Sequence, residues 1–187
     1  METEFTTAYV SLGSNLGNRA GNLLLAVRGL LEASFVLNKL SAIYETEPFN
    51  VENHGTYLNM VAEIQIKSIS ASQMMARMLR IEYLLGRRDK SLKKPRTVDL
   101  DLLMFGDYQC DTEFLTLPHP RMHERRFVLV PLCEIAPHLV HPVLQKSIQQ
   151  LSNECGDFAV VKRWNPNARA AFENEELKVF LKSEMIE

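Results

Sequence analysis

The sequence has few cysteines, no long apolar run and no targeting signature. Its 187 residues include three cysteines, Cys110, Cys133 and Cys155, with no CxxC pair among them, which argues against a disulfide framework and a zinc knuckle. No apolar run approaches the roughly 18 residues that a membrane-spanning helix needs. The first ten residues, METEFTTAYV, lack a basic region and a long apolar core, so we expect no signal peptide and a cytoplasmic location.

An overall excess of positive charge is also absent. The formal net charge is -2, whereas a dedicated nucleic-acid-binding domain is normally basic. We therefore expect neither nucleic acid nor a membrane as a partner. The basic residues are concentrated locally, in Arg87–Arg96 and Arg121–Arg126, a pattern that favours a small anionic ligand over a long polyanion.

Length and composition favour one globular domain. Hydrophobic residues make up 46% of the chain and charged residues 24%, a balance that supports an ordinary core. We predict a single domain over residues 1–160. The remainder, 161–187, includes the acidic, amphipathic stretch FENEELKVFLK and is predicted to be a C-terminal appendage.

The periodicity of apolar residues predicts alternating strands and helices. Strands are predicted at Ala8–Leu12, Phe35–Tyr44, Tyr57–Ile66 and Val98–Phe105, and helices at Asn18–Ala33, Ser70–Leu85 and Phe127–Ile135. The order β-α-β-β-α-β predicts an α+β, ferredoxin-like core, with helices packed on one face of an antiparallel sheet.

Two aspartates stand two residues apart in the last predicted strand of this core. Side chains alternate along a strand, so Asp99 and Asp101 share one face while Val98, Leu100 and Leu102 point to the core. Aspartate is depleted in strands, and Mg²⁺ commonly takes one or two carboxylates together with substrate phosphates. The pair therefore favours a metal site over the alternative of a solvent-facing sheet edge.

A basic stretch, RRDKSLKKPR, precedes the aspartates. Arginine makes forked contacts with phosphate oxygens and stays charged, although such a run by itself is more often solvated surface. Arg96 stands three residues before Asp99, so cations and carboxylates converge. This composition is typical of a metal–triphosphate site, where catalysis depends on positioning and charge neutralisation.

Two single residues have both a functional and an ordinary interpretation. Glu82 falls on the apolar stripe of a predicted helix near its C-terminal end, where a carboxylate is either buried for a purpose or at the stripe's edge in water. His119 lies between Pro118 and Pro120 in a loop, and could contact phosphate or be structural.

The Tyr57–Asn59 pair and a glycine-containing turn complete the candidates. Tyr57 and Asn59 share one strand face, and an aromatic ring beside an amide suits a flat heterocycle, with ordinary strand packing as the alternative. The turn Gly13–Gly17 lacks the spacing of a P-loop and of GxGxxG. It is predicted to be a turn and helix cap.

Taken in order, these segments resemble the 6-hydroxymethyl-7,8-dihydropterin pyrophosphokinase family of folate biosynthesis. The matching stretches are AYVSLGSNLGNR, YETEPF followed by YLN, RIEYLLGRR, KPRTVDLDLLMFG and LPHPRMHERRFVLVPL, within residues 8–140. The resemblance implies an enzyme that transfers the β,γ-pyrophosphoryl group of ATP to the hydroxymethyl oxygen of the pterin, giving AMP. It also implies two Mg²⁺ ions and ATP as co-substrate. We expect a monomer, with a dimer as the alternative.

The resemblance further implies a role for each candidate residue. Asp99 and Asp101 would bind the metal ions, and Arg87 and Arg96 would contact the phosphates, with Arg96 stabilising the transferring group. The residues implied to line the nucleotide site are Glu82, Leu102, Thr116, His119 and Arg125. Those implied to bind the pterin are Thr46, Phe49, Tyr57, Asn59 and Phe127, with Tyr57 and Phe127 stacking on its ring.

The chain departs from the family pattern at three positions and leaves two other functions to weigh. Lys93, Phe114 and Pro120 stand where some members have Trp, Arg and Tyr. A non-enzymatic RNA-binding module would need exposed aromatics of the RNP type and a basic balance, and both are missing. A catalytically inactive homologue is disfavoured because the aspartates and basic residues are intact.

Overall fold

Two sheets are present in the computed structural model, which describes residues 5–47, 55–87 and 95–166. In chain order the strands are β1 (Phe5–Ser14), β2 (Val36–Leu40), β3 (Tyr44–Thr46), β4 (Tyr57–Lys67), β5 (Asp99–Phe105), β6 (Cys110–Asp111), β7 (Thr116–Leu117) and β8 (Val161–Arg163). The main sheet has the order β5-β1-β4-β3-β8, with β2 also paired to β4, and its strand pairs are antiparallel. Strands β6 and β7 form a small separate sheet.

Four α-helices are found in the described ranges: α1 (Arg19–Glu32), α2 (Ala71–Leu84), α3 (Arg126–Ile135) and α4 (Ile148–Glu154). Asn18 caps α1 by accepting a hydrogen bond from Gly21 N–H, and Ser70 and Gln73 form a capping box at the start of α2. Helix α1 connects β1 to β2, and α2 connects β4 to β5. This order confirms the predicted ferredoxin-like core.

The predicted strand Phe35–Tyr44 is interrupted and becomes β2 and β3. The interruption lies at Ser41, whose hydroxyl accepts a hydrogen bond from Val61 N–H at 2.9 Å while its own N–H donates to Val61 O at 2.9 Å. A side chain therefore replaces part of the backbone ladder there. Periodicity does not reveal such a local exchange.

The sheet is covered on both faces. The two helices of the predicted core, α1 and α2, pack on the same face, as predicted, whereas the cover of the other face was not predicted. Ala8, Val10 and Leu12 belong to the core beneath α1 and α2. Tyr9 and Leu103 face the other way and pack in a second core that includes residues of α3 and α4. Strand β4 is buried at seven consecutive positions, from Leu58 to Ile64, as expected for a strand that is covered on both faces of the sheet.

The main sheet extends past residue 160, where the sequence placed the end of the domain. Thr46 of β3 is paired with Val161 of β8, and Trp164 packs against the main core. Residues 167–187 lie outside the described residues, so the C-terminal appendage stays a prediction. None of the helices in the described ranges is long and apolar enough to cross a membrane.

Candidate active site

Strand register places two of the predicted site residues on either side of one glycine. In the main sheet β1 lies between β5 and β4, and Gly13 of β1 is paired with Asp99 on one side and with Asn59 on the other. Neighbouring strands are about 4.8 Å apart, so the Cα atoms of Asp99 and Asn59 are about 10 Å apart. The predicted metal end and the predicted pterin end are thus neighbours.

Gly13 leaves the space that these two side chains use. A Cβ atom at this position would lie 3.1 Å from Asn59 Oδ1 and 3.9 Å from the Cβ of Asp99. The first distance is tighter than an ordinary contact. A side chain on Gly13 would therefore push on Asn59 more than on Asp99.

Asp99 is held by two arginines from different segments. Arg96 Nη2 lies 2.5 Å from Asp99 Oδ2, and Arg87 Nη1 contacts Asp99 Oδ1. Asp101, two residues along β5, has Arg125 Nη1 at 3.7 Å from its Oδ2. As predicted, Leu100 between them is buried, while both aspartates are half-buried. Cationic groups thus already surround both carboxylates.

Glu82 is buried at the end of α2, with 2% of its surface exposed, which excludes the alternative that it reaches water. Its Oε1 accepts hydrogen bonds from Arg87 Nη1 at 2.9 Å and from the backbone N–H of Leu100 at 2.6 Å. Arg87 therefore joins Glu82 to Asp99. Desolvation alone would lower the pKa of Arg87, but the carboxylates of Asp99 and Glu82 outweigh it and raise the pKa.

His119 lies beside β5, because its backbone N–H donates to Leu103 O at 2.8 Å. Its Nδ1 accepts from Arg121 N–H at 3.2 Å, so the proton of the neutral ring is on Nε2. Desolvation lowers the pKa of His119, helped by Arg125 and Arg121 and opposed by Asp101. At pH 7 the ring is therefore a neutral donor.

A cavity of about 450 Å³ adjoins His119. It is lined by Gln109–Asp111, Thr116–Pro120, His123, His141 and Val143–Leu144. Thr116 is on its wall, with its hydroxyl donating to Asp111 Oδ1 at 2.9 Å. Leu102 is not: its side chain is buried in the main core.

The predicted pterin residues in the described ranges lie on three elements. Asn59 is buried, and its Nδ2 donates to the hydroxyl of Thr46, also buried, at 3.2 Å. Tyr57 begins β4 and is paired with Thr46 in the β3–β4 register. Phe127 is in the first turn of α3, with the Arg125 guanidinium 5.6 Å from its ring centre. Phe49 lies outside the described residues, as does Lys93.

Residues 9–137 match the model of the family described as 7,8-dihydro-6-hydroxymethylpterin-pyrophosphokinase (HPPK). The chain belongs to the HPPK family.

Curated relatives of the HPPK family cover most of this chain. The 2-amino-4-hydroxy-6-hydroxymethyldihydropteridine pyrophosphokinase of Bacillus subtilis is 44% identical over 68% of this chain and 77% of its own length. The protein of the same name from Aquifex aeolicus is 32% identical over 79% and 91%. The chain is accordingly a pyrophosphokinase of folate biosynthesis, which transfers pyrophosphate from ATP to hydroxymethyldihydropterin.

Solved structures show the same fold. The wild-type HPPK-DHPS of Plasmodium falciparum superposes with a TM-score of 0.65 at 16% identity, covering 82% of this chain. The match spans 45% of the Plasmodium chain, so this chain corresponds to less than half of that protein. At this identity the likeness concerns the fold alone.

Asn15 lies beside the candidate site and was not among the residues predicted from the sequence. Its Oδ1 accepts from Arg96 N–H at 2.8 Å, and its own N–H donates to Arg96 O at 3.2 Å. Its Nδ2 is buried, with no hydrogen-bond partner in the part of the chain that the structure describes. The glycine turn that contains Asn15 thus supports the backbone of Arg96. The only signal in the sequence was the family stretch GSNLGNR, since the contact joins residues far apart in the chain.

Proposed function

We propose that pyrophosphate transfer takes place where β4 and β5 begin and α2 ends, with Asp99 and Asp101 as the ligands of two Mg²⁺ ions. One observation carries the proposal. A connected group of ion pairs joins Glu82, Arg87, Arg96 and Asp99. Only strand β1 lies between Asp99 of this group and Asn59. Such a group can hold a polyphosphate next to a heterocycle.

The two carboxylates suit magnesium better than they suit a metal ion that is coordinated by protein ligands alone. The residues that the structure describes contain no cluster of three or more His, Cys, Asp or Glu able to hold a metal ion alone. Mg²⁺ usually takes one or two carboxylates and completes its shell with water and substrate phosphate. Asp99 and Asp101 supply two hard carboxylates, and a guanidinium group already lies against each of them. Bound magnesium would neutralise phosphate charge and orient the phosphate chain.

At the pterin end, the proposal assigns recognition to neutral groups. The amide of Asn59 and the hydroxyl of Thr46 meet the edge of the heterocycle, and Tyr57 and Phe127 stack on its faces. Phe49 is assigned to the same end from the family resemblance. The hydroxymethyl oxygen then attacks the β-phosphorus of ATP, the bond from that phosphorus to the α-β bridging oxygen breaks, AMP leaves, and the hydroxyl proton passes to solvent.

At the phosphate end, the arginines act by charge and geometry. Arg87 and Arg96 contact the phosphates, and Arg96 stabilises the transferring group because Asn15 holds its backbone on both the N–H and the carbonyl. Arg125 and the Nε2–H of His119 supply further donors. Thr116 lines the nucleotide side. Leu102 contributes backbone groups, since its side chain is buried and β5 is an edge strand of the main sheet.

The test is AMP formation from MgATP and 6-hydroxymethyl-7,8-dihydropterin. We expect Asp101→Ala to lower kcat by at least about 10³-fold, because it removes a metal ligand. Asp107→Ala, an exposed aspartate after the same strand, serves as matched control and should leave kcat unchanged. Calorimetric titration with Mg²⁺ and a non-hydrolysable ATP analogue should show weaker binding to Asp101→Ala. AMP formation by Asp101→Ala at the wild-type rate would defeat the assignment.

The location and oligomeric state are part of the same proposal. We propose that the chain acts in the cytoplasm as a monomer, as expected from its sequence. Light scattering after size-exclusion chromatography, at catalytic concentration with both substrates, tests the monomer.

A further inference from the structure

Three residues outside the predicted site join the start of α1 to both ends of the connection between β3 and β4. Arg19 Nη1 donates to Glu45 Oε1 at 2.9 Å and to the carbonyl oxygen of Thr56 at 2.8 Å, and it also contacts the Thr56 hydroxyl. That hydroxyl donates to Glu45 Oε1 at 2.6 Å. We call Arg19, Glu45 and Thr56 the Arg19 clamp.

The stability of helix α1 does not explain why residue 19 is an arginine. Arg19 is the first residue of the helix, where the helix dipole disfavours a cation, and the first turn contains no acidic residue. Arg28, by contrast, forms an exposed i,i+4 pair with Glu32 on the same helix, which is ordinary surface pairing. Arg19 is thus unfavourable for its own helix, and its contacts lie outside that helix.

The Arg19 clamp is one residue away from the pterin end on both strands. Glu45 immediately precedes Thr46, and Thr56 immediately precedes Tyr57. Thr46 and Tyr57 are themselves paired in the β3–β4 register, and Thr46 accepts the hydrogen bond from Asn59. The hydrogen bonds of Thr56 and Arg19 also lower the pKa of Glu45 against its desolvation, so the carboxylate is charged at neutral pH.

We infer that Arg19 is a positioning residue for the pterin, which acts by holding Glu45 and Thr56 together and thereby setting Thr46 and Tyr57 against the ring. This inference rests on the proposed function of the pterin end. Arg19 touches neither substrate. Because a small displacement of a recognition group weakens binding strongly, loss of the clamp reduces affinity for the pterin and spares the nucleotide.

The experiment compares Arg19→Ala with Arg28→Ala. Calorimetry measures the Kd of 6-hydroxymethylpterin in the presence of Mg²⁺ and a non-hydrolysable ATP analogue, and separately the Kd of that analogue alone. We expect Arg19→Ala to raise the pterin Kd about tenfold, and to change the nucleotide Kd less than about twofold. Arg28→Ala should change neither. Arg19→Lys, which keeps the charge opposite Glu45, should recover part of the affinity.

Two results would overturn the inference. One is an unchanged pterin Kd in Arg19→Ala. The other is equal weakening of both ligands together with a lower Tm, which would show a general structural role. If Arg19→Ala does not fold, Glu45→Gln carries the test, with an expected selective rise in pterin Kd of about threefold. The wild-type protein is assayed for AMP in parallel, so a failure of the proposed function is seen separately.

Discussion

The two ends of the candidate site, on opposite sides of Gly13, are built on different physical principles. The charged end consists of a group held together by ion pairs, Glu82, Arg87, Arg96 and Asp99, and of Asp101, which is paired with Arg125. The neutral end consists of Thr46, Tyr57 and Asn59, which are held by strand pairing and one amide–hydroxyl hydrogen bond. Losing one member of the charged end leaves a buried charge without its partner, whereas losing one member of the neutral end removes a single weak interaction.

This difference predicts where each end acts in the reaction. In the proposed function, the charged end stabilises the charge that develops in the transition state, so changes there should lower kcat. In the same proposal the neutral end contacts the pterin equally before and during reaction, so changes there should raise the pterin KM. The predictions that follow would break this division if the two parameters moved together.

After the loss of a metal ligand, the largest effect is expected at Arg96. Arg96→Ala should lower kcat by about 10²- to 10³-fold, because it removes a preorganised cation from the transferring group. The pterin Kd should change less than about threefold, since Arg96 is not at the neutral end. Steady-state kinetics with calorimetry measures both, with Arg80→Ala, an exposed arginine of α2, as control. Equal effects on kcat and on pterin Kd would refute the transition-state role.

Glu82 allows a test against a second buried carboxylate. Glu82→Gln leaves Arg87 with a single carboxylate and should lower the free energy of unfolding by about 3 kcal/mol, while also lowering kcat. Glu63, which accepts from Tyr9 on the second face of the sheet, is similarly buried. Glu63→Gln should cost stability without lowering kcat. Urea unfolding and AMP assays of the two variants make the comparison, and loss of kcat in both would show that destabilisation alone explains it.

At the neutral end, Asn59→Ala should raise the pterin KM about tenfold, the equivalent of one or two hydrogen bonds. The ATP KM should stay within about twofold. Thr46→Val, which removes the hydroxyl that Asn59 contacts, should give a smaller rise in the same parameter. A fall in kcat with an unchanged pterin KM would place Asn59 with the charged end.

The smallest effect is expected for Gly13→Ala. The added methyl group would lie 3.1 Å from Asn59 Oδ1, so the amide must shift by a few tenths of an ångström. We expect a rise in the pterin KM of about threefold, well below the loss of a full hydrogen bond, and no change in kcat. Gly156→Ala, where no atom lies within 4 Å of the added carbon, is the control. A larger effect on kcat than on KM would show that Asp99 is the side chain displaced.

Local patterns in the sequence were sufficient for the core of the fold. The alternation Val98, Leu100, Leu102 predicted the buried face of β5, and Ser70 predicted the start of α2. The cover of the second face was missed, because the periodicity of a helix such as α3 does not say which face of a sheet it covers. The break at Ser41 was missed because it depends on a hydroxyl that replaces a backbone group.

The candidate residues could be named from the sequence, but the contacts between their side chains could not. The spacing of Asp99 and Asp101 and the family stretches named the candidates. The burial of Glu82 could not be settled from its stripe, because the contacts with Arg87 and Leu100 N–H that satisfy it come from outside the helix. Asn15 was missed for the same reason: its partner, Arg96, is brought near by the antiparallel β1–β5 pairing. Contacts between residues that are far apart in the chain produce no periodic pattern in the local sequence.

The ion pairs around Asp99 and Asp101 have a consequence for how substrate enters. Three carboxylates, Glu82, Asp99 and Asp101, meet three guanidinium groups, Arg87, Arg96 and Arg125. The charges of these six residues cancel. If the proposed site is correct, a metal ion arriving alone would have to displace an arginine from a carboxylate, and a nucleotide without metal would have to draw an arginine away from a carboxylate. Metal and nucleotide arriving together would exchange partners with these six residues pair by pair, so the proposed site would load without an uncompensated charge on any of the six.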